Sequence, residues 1–174
     1  MFIGAALLIG AVSLISCGEQ SPEAGAKDYF VRTTYDREGD CDSPDSMCAK
    51  VDFIFPAPTP KMPQPLAQAF EGAVRELIVT PSVNGRPEGY DTLSITQLSQ
   101  YIMSQFEQMQ ADFPDAASTR RLFEEQLVAV VGDTLGMITL KRTARAFTGG
   151  AHENEVVTLM MLDRATGERL TLNQ

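Results

Sequence analysis

Five prolines fall within the ten residues "PAPTPKMPQP" (Pro56–Pro65). Each proline fixes φ and removes a backbone N–H, so a helix interior or a central strand cannot be built from such a run. A stiff, extended connection ending the preceding strand at Pro56 is expected.

Before the prolines, "KDYFVRTTYD" (Lys27–Asp36) is aromatic and β-branched and reads as a strand. In "CAKVDFIFP", Val51, Phe53 and Phe55 alternate with Lys50, Asp52 and Ile54, the pattern of a half-buried strand. After the prolines the period changes. Leu66, Phe70, Val74, Leu77 and Ile78 recur at helical steps, and Pro81 closes that segment. Ser94 and Gln97 form a capping-box pattern, followed by a stripe of Ile95, Leu98, Ile102, Phe106, Met109 and Phe113 that Pro114 ends. So narrow a seam suits a helix lying on one face of a sheet. "NGRPEGYD" is expected to be a loop, with a tight turn at Asn84–Gly85.

The remainder is β-rich. "RLFEEQLVAVVGD" alternates weakly, and Glu124 and Glu125 leave a helix open there. Gly132–Asp133 is a hairpin signal before "TLGMITLKRTARAF". "HENEVVTLMMLD" reads as a further strand, and "RATGE" as a turn into "RLTL". The order predicts an α+β fold: an antiparallel sheet with two helices packed on one face.

The length of 174 residues suits one domain, and 23 acids against 14 bases give a formal charge of −9. Phosphate backbones repel such a chain, so no nucleic acid is expected as partner, while cationic partners are attracted. With a single histidine, a multi-histidine zinc site within one chain is excluded. No metal or cofactor is expected.

Residues 2–16, "FIGAALLIGAVSLIS", are apolar and shorter than the roughly 20 residues that span a bilayer. They read as the core of an export signal. "LISC" (Leu14–Cys17) resembles the lipobox of bacterial lipoproteins. The resemblance implies cleavage before Cys17, a diacylglycerol on its sulfur, and membrane attachment through acyl chains. Gly18 in place of an aspartate implies sorting to an outer membrane where the host has one. No Lys or Arg precedes the apolar run, a departure that places the true start upstream. A buried N-terminal helix and a plain membrane anchor are the competing readings. The expected layout is a signal over 1–16, a flexible tether over 17–27, and one α+β domain over 28–174.

Cys41 and Cys48 flank the turn-rich "DSPDSM" and would meet an oxidising space after export, so a disulfide is expected. Asp40, Asp42 and Asp45 around this loop offer oxygens for calcium, but without an EF-hand pattern a solvated acidic loop is favoured.

The remaining motif is "FTGGAH": Phe147, Thr148, Gly149, Gly150, Ala151 and His152. A strand follows, then "LDRATGERLTL" with Asp163, Thr166 and Gly167 in its turn. Together these resemble a bacterial domain of unknown function. That domain occurs in the extracytoplasmic part of the lysozyme-sensing anti-sigma factor RsiV, beside the catalytic domain of the peptidoglycan deacetylase PdaC, and in stand-alone lipoproteins. Phe147 stands where the family has tyrosine. The likeness covers about residues 27–174, and only the hexapeptide and the 163–167 turn are specific. The family continues past the last leucine-rich strand, so a chain truncated at its C-terminus, with an exposed sheet edge or apolar surface, is expected.

Gly149 and Gly150 both permit positive φ and close backbone approach. His152 suits a structural corner bonded to a main-chain carbonyl, with a ligand contact and a base as rivals. No nucleophile elbow accompanies it, and no catalytic residue is assigned. The expected function is a non-catalytic binding module of the cell envelope. Its ligand, by the resemblance, is a cell-wall glycan or a cationic lysozyme-like protein. Tyr29, Tyr35 and Tyr90 are candidates for stacking on sugars, with Phe30 expected in the core. The alternative is a wall-active hydrolase using paired carboxylates.

Overall fold

The computed structural model describes residues 28–43, 45–80, 89–134 and 136–171. The signal, Cys17, the tether, Pro81 and the Asn84–Gly85 turn lie outside the described residues. Six strands form one sheet in chain order: β1 (Tyr29–Gly39), β2 (Cys48–Pro58), β3 (Arg121–Thr134), β4 (Met137–Phe147), β5 (Asn154–Asp163) and β6 (Arg169–Leu170). Helices α1 (Gln64–Val79) and α2 (Ile95–Asp112) both lie between β2 and β3.

The α+β architecture matches the expectation, with one refinement. β2 and β3 pair parallel, Cys48 with Arg121 through Ile54 with Leu127, while every other pair is antiparallel. The cause is connectivity. A two-helix excursion brings the chain back to the end of the sheet where β2 began, and a crossover of that length yields parallel neighbours.

The proline run is only partly irregular. β2 continues through Pro56 and Ala57 to Pro58, paired with β1 alone, because β3 pairs only as far as Ile54. A strand with one side free tolerates proline. Pro65 then sits in the first turn of α1, where its missing N–H breaks no helical bond.

Leu66, Phe70, Ala73, Val74, Leu77, Ile78 and Val79 of α1 pack on the sheet. In α2, Ser94 and Gln97 close the predicted capping box, and Leu98, Ile102, Met103 and Phe106 are buried. Phe113 is 60% exposed, contrary to the predicted stripe, because the helix has already ended at Asp112. The core joins these residues to Ala49, Val51, Phe53 and Phe55 of β2, Ile138 and Leu140 of β4, and Met160 and Leu162 of β5. Phe30, expected inside, lies on edge strand β1 and is 49% exposed.

The weak alternation of β3 has a structural cause. Glu124 and Gln126 occupy inward positions, where they meet the buried Arg142 of β4. The β3–β4 turn lies past its predicted place: Gly136 takes positive φ, while Gly132 sits in the strand at a bulge opposite Thr139.

Candidate functional site

Both helices cover one face of the sheet, and no described element covers the other. On the open face, strand register sets side chains in rows, because directly opposed residues share a face. One row runs Tyr35, Asp52, Glu125, Arg145, Glu155 from β1 to β5. The next runs Thr33, Ile54, Leu127, Thr143, Val157. Between them lies a depression of about 350 Å³, lined by Asp52, Ile54, Glu125, Gln126, Leu127, Thr143 and Arg145.

Glu125 is held from two sides. The Lys50 ammonium donates to Oε1, and Arg145 Nη1 lies 3.4 Å from Oε2. The second Arg145 nitrogen, Nη2, meets Glu153 Oε2 at 2.6 Å, and that bond is the main reason the guanidinium is held more firmly protonated than usual. Lys50 and Arg145 both lie over the Phe123 ring, at 5.6 and 5.9 Å from its centroid. Phe123 in turn stacks on Phe147, with centroids 6.4 Å apart.

Asp52 differs from its neighbours. Its Oδ1 is enclosed and has no hydrogen-bond donor. Desolvation pushes the carboxyl above the ordinary aspartate range, Glu125 adds to the rise, and Lys50 opposes it.

The FTGGAH segment ends β4 and turns into β5 beside this site, without lining the depression itself. Phe147 supports Phe123, and the residue after the motif, Glu153, fixes Arg145. Only Gly149 of the two glycines takes positive φ, at +83°; Gly150 does not. A Cβ at Gly149 would stand 3.4 Å from Ser118 O and 3.5 Å from Met109 Sδ, so the turn packs closely on the end of α2. Thr148 is half-buried, and Ala151 and His152 are exposed. His152 Nδ1 lies 3.0 Å from the carbonyl of Glu153, the main-chain partner proposed for a corner. The bond is local and solvent-facing, so the buried hydrogen bond that a structural corner would need is absent.

The other singled-out residues lie elsewhere. Asp163 Oδ1 accepts N–H bonds from Ala165 and Thr166, both at 2.8 Å, closing the β5–β6 turn. These bonds, Thr166 first, hold its carboxyl below the usual range. Gly167 in that turn has φ +76°, and a Cβ there would lie 2.6 Å from that of Ala69 on α1. Cys41 and Cys48 are disulfide-bonded, with Cα atoms 4.8 Å apart. Around this loop, Asp40 accepts N–H bonds from Asp42 and Ser43, and Asp42 pairs with Arg37. Of the aromatic candidates, Tyr35 is 52% exposed on the open face. Tyr29 stacks on Phe70, and Tyr90 is buried against Tyr101. No described helix is long and apolar enough to cross a membrane.

Sequence reasoning did not find Asp52, Glu125 or Arg145 as a group. They come from three strands and acquire meaning only through register. The alternation of β2, which turns Asp52 away from the core, was the one available signal.

No family model matches the chain. No curated protein matches it. Solved structures do. A DUF3298 family protein from Pseudomonas aeruginosa PAO1 is similar with TM-score 0.53 and 14% identity, covering 84% of this chain and 57% of that one. A DUF3298 family member from Bacteroides fragilis NCTC 9343 is similar with TM-score 0.57 and 13% identity, covering 83% and 60%. At these identities the likeness shows the fold. The chain spans less than two thirds of either neighbour's length.

Proposed function

We propose that this protein is a non-catalytic binding module of the cell envelope, and that the helix-free face of its sheet is the binding surface. The observation that carries this reading is the depression on the open face, where the exposed side chain of Leu127 lies beside a fixed lattice of charged and aromatic side chains. The face is shallow and pre-formed, and its cations are committed to its acids. That arrangement favours holding a ligand over transforming it.

The location rests on the apolar leader and the lipobox resemblance, with attachment through acyl chains on Cys17. The ligand is a cell-wall glycan or a cationic lysozyme-like protein, by the resemblance of the FTGGAH and Asp163–Gly167 segments. The net charge of −9 adds attraction for a cationic protein. Retention on insoluble peptidoglycan and on immobilised lysozyme, at low and high salt, tests the proposal. Leu127→Arg, which alters the open face, is the comparison. Retention by at least one of the two, lost in that variant, is expected. Passage through both at low salt overturns the reading.

One observation favours the hydrolase alternative: Asp52, with its raised carboxyl, has a second acid, Glu125, opposite it in the strand register. Against it, Glu125 is tied to Lys50 and Arg145, and the two acids stand side by side on adjacent strands instead of facing one another across a cleft. Release of soluble wall fragments that stops in Asp52→Asn would establish the alternative.

A further inference from the structure

We propose that the free edge of β1 pairs antiparallel with β1 of a second copy of this chain, about a twofold axis at Thr34. The proposal goes beyond the binding reading above and does not depend on it. β1 is an edge strand of 11 residues, and no described element pairs with its outer side. The opposite edge of the sheet, at β5, is partly taken by β6 at Met161 and Leu162. The Thr59 N–H donates to the carbonyl of Asp28 at 2.7 Å, and the Asp40 N–H to that of Met47 at 3.0 Å. Both bonds continue the β1–β2 register, so the even-numbered residues of β1 turn their main-chain groups toward β2. The odd-numbered ones, from Tyr29 to Gly39, turn theirs outward, where a second strand can bond them. Neither a proline nor a bulge in β1 prevents this, and Phe30, Val31 and Tyr35 on the same strand are exposed.

Charged side chains ordinarily blunt such an edge. Here they select the partner. β1 carries Arg32, Asp36, Arg37 and Glu38, so the strand is neutral in a chain of −9 and adds no repulsion between copies. Antiparallel pairing centred on Thr34 sets Arg32 opposite Asp36 of the second copy, and symmetry makes that ion pair twice. Arg32 lies over the Phe55 ring, 5.9 Å from its centroid, and meets no carboxylate among the described residues. The Ser99 hydroxyl donates to Asp36 Oδ2, which fixes that carboxylate and leaves Oδ1 for the guanidinium. In the same register Val31 falls opposite Arg37 of the second copy, whose methylene stem covers it. Other centres fit less well. Centring on Arg32 or Asp36 opposes like charges, centring on Thr33 sets Asp36 against Phe30, and centring on Tyr35 shortens the overlap. Only the Thr34 register engages all 11 residues, with up to about twelve main-chain hydrogen bonds. Opposed residues share a face, so both pairs of helices stay on one side and the two open faces join into one surface.

Sedimentation and cross-linking of the full chain in mild detergent test the pairing. A monomer–dimer equilibrium with Kd on the order of 10–100 µM is expected. Arg32→Asp and Asp36→Arg each oppose like charges twice, so either variant alone should dimerise at least about tenfold more weakly. Mixed in equal amounts, the two should restore the wild-type dimer, because each strand then meets its opposite. Thr33→Pro removes an outward N–H and spares the bonds to β2, so it should abolish the dimer with little change in Tm. With Cys41 and Cys48 bonded to each other, a Cys17→Ser background makes an introduced thiol the only free one. In that background Thr34→Cys should form an intermolecular disulfide on mild oxidation, since directly opposed Cα atoms stand about 4.5 Å apart. Tyr35→Cys, offset from its own symmetry copy by about two residues, should not. If loss of the Ser99 bond unfolds Asp36→Arg, Arg32→Asp and the two cysteine variants still decide. A chain that stays monomeric to about 1 mM overturns the proposal. So does a dimer indifferent to Arg32→Asp, a mixture of folded variants no tighter than either alone, or cross-linking through Tyr35→Cys in place of Thr34→Cys.

Discussion

Arg142 on β4 donates its Nε–H to Gln126 Oε1 on β3 at 2.8 Å, and both side chains are buried where α1 ends on the sheet. Arg142 Nη2 donates to the carbonyl of Thr80 at 2.7 Å, and Gln126 Nε2 to that of Ile78 at 3.1 Å. The last carbonyls of a helix have no intrahelical donors, so two sheet side chains complete the C-terminus of α1. Burial lowers the affinity of Arg142 for its proton, and Glu124 and Tyr90 oppose that shift.

Replacing only one member of this network leaves the others unpaired in the core. Arg142→Ala is expected to destabilise the fold by about 3–5 kcal/mol. Changing Glu124, Gln126 and Arg142 together to apolar residues of similar volume is expected to cost far less. Denaturant melts of the two variants make the comparison.

Asp52 supplies a pH signature. Its carboxyl is raised in the folded state, so ionising it opposes folding. The protonated form contributes its full stability below the unfolded value of 3.8, and that contribution is lost as pH rises through the raised folded value. Asp52→Asn should match the wild type in acid and melt higher than it at neutral pH. A wild type that gains on the variant with rising pH would contradict the desolvation account.

The β5–β6 turn packs closely against α1 at Gly167. A Cβ on Gly167 would lie 2.6 Å from the Cβ of Ala69, and the backbone there has φ +76°. Gly167→Ala is expected to destabilise by about 1–3 kcal/mol, from strain and overpacking combined. Ala69→Gly in the same chain should recover only the overpacking share, which thermal melts of the single and double variants resolve.

In the FTGGAH segment, function and stability should separate. His152 is exposed, so His152→Ala should change stability by no more than about 0.5 kcal/mol. Glu153→Ala should also melt nearly unchanged, since exposed ion pairs contribute little. It frees Arg145 from its 2.6 Å partner and should weaken retention on whichever matrix holds the wild type. A large fall in melting temperature for His152→Ala would restore the structural-corner reading.

The Cys41–Cys48 bridge closes a short loop at the end of the β1–β2 hairpin. Reduction, or Cys41→Ser with Cys48→Ser, is expected to cost about 2–3 kcal/mol in the chain-entropy account. Melts with and without reductant measure it. The rest of the sheet should keep its pairing, because the next link at that end, Cys48 N–H to Arg120 O, is main-chain.

Both helices were legible because their signals are local. The Ser94–Gln97 box and the apolar steps of α1 need only neighbours within a few turns. β3 was harder to read, because Glu124 and Gln126 break the alternation for the sake of Arg142, which lies 16 residues past Gln126. Phe30 and Phe113 were misplaced for a related reason. Side-chain character suggested burial, but position at a sheet edge and beyond a helix end left them in water.

The sequence by itself determined the α+β composition, the helix starts, the Asp163–Gly167 turn and the cysteine pairing, each through backbone geometry or short-range bonding. Only the tertiary structure decided that β2 and β3 run parallel, and that Asp52, Glu125 and Arg145 meet in one row. Pairing register is a long-range property: a shift of one residue on any of those strands would carry its acid or cation to the other face of the sheet.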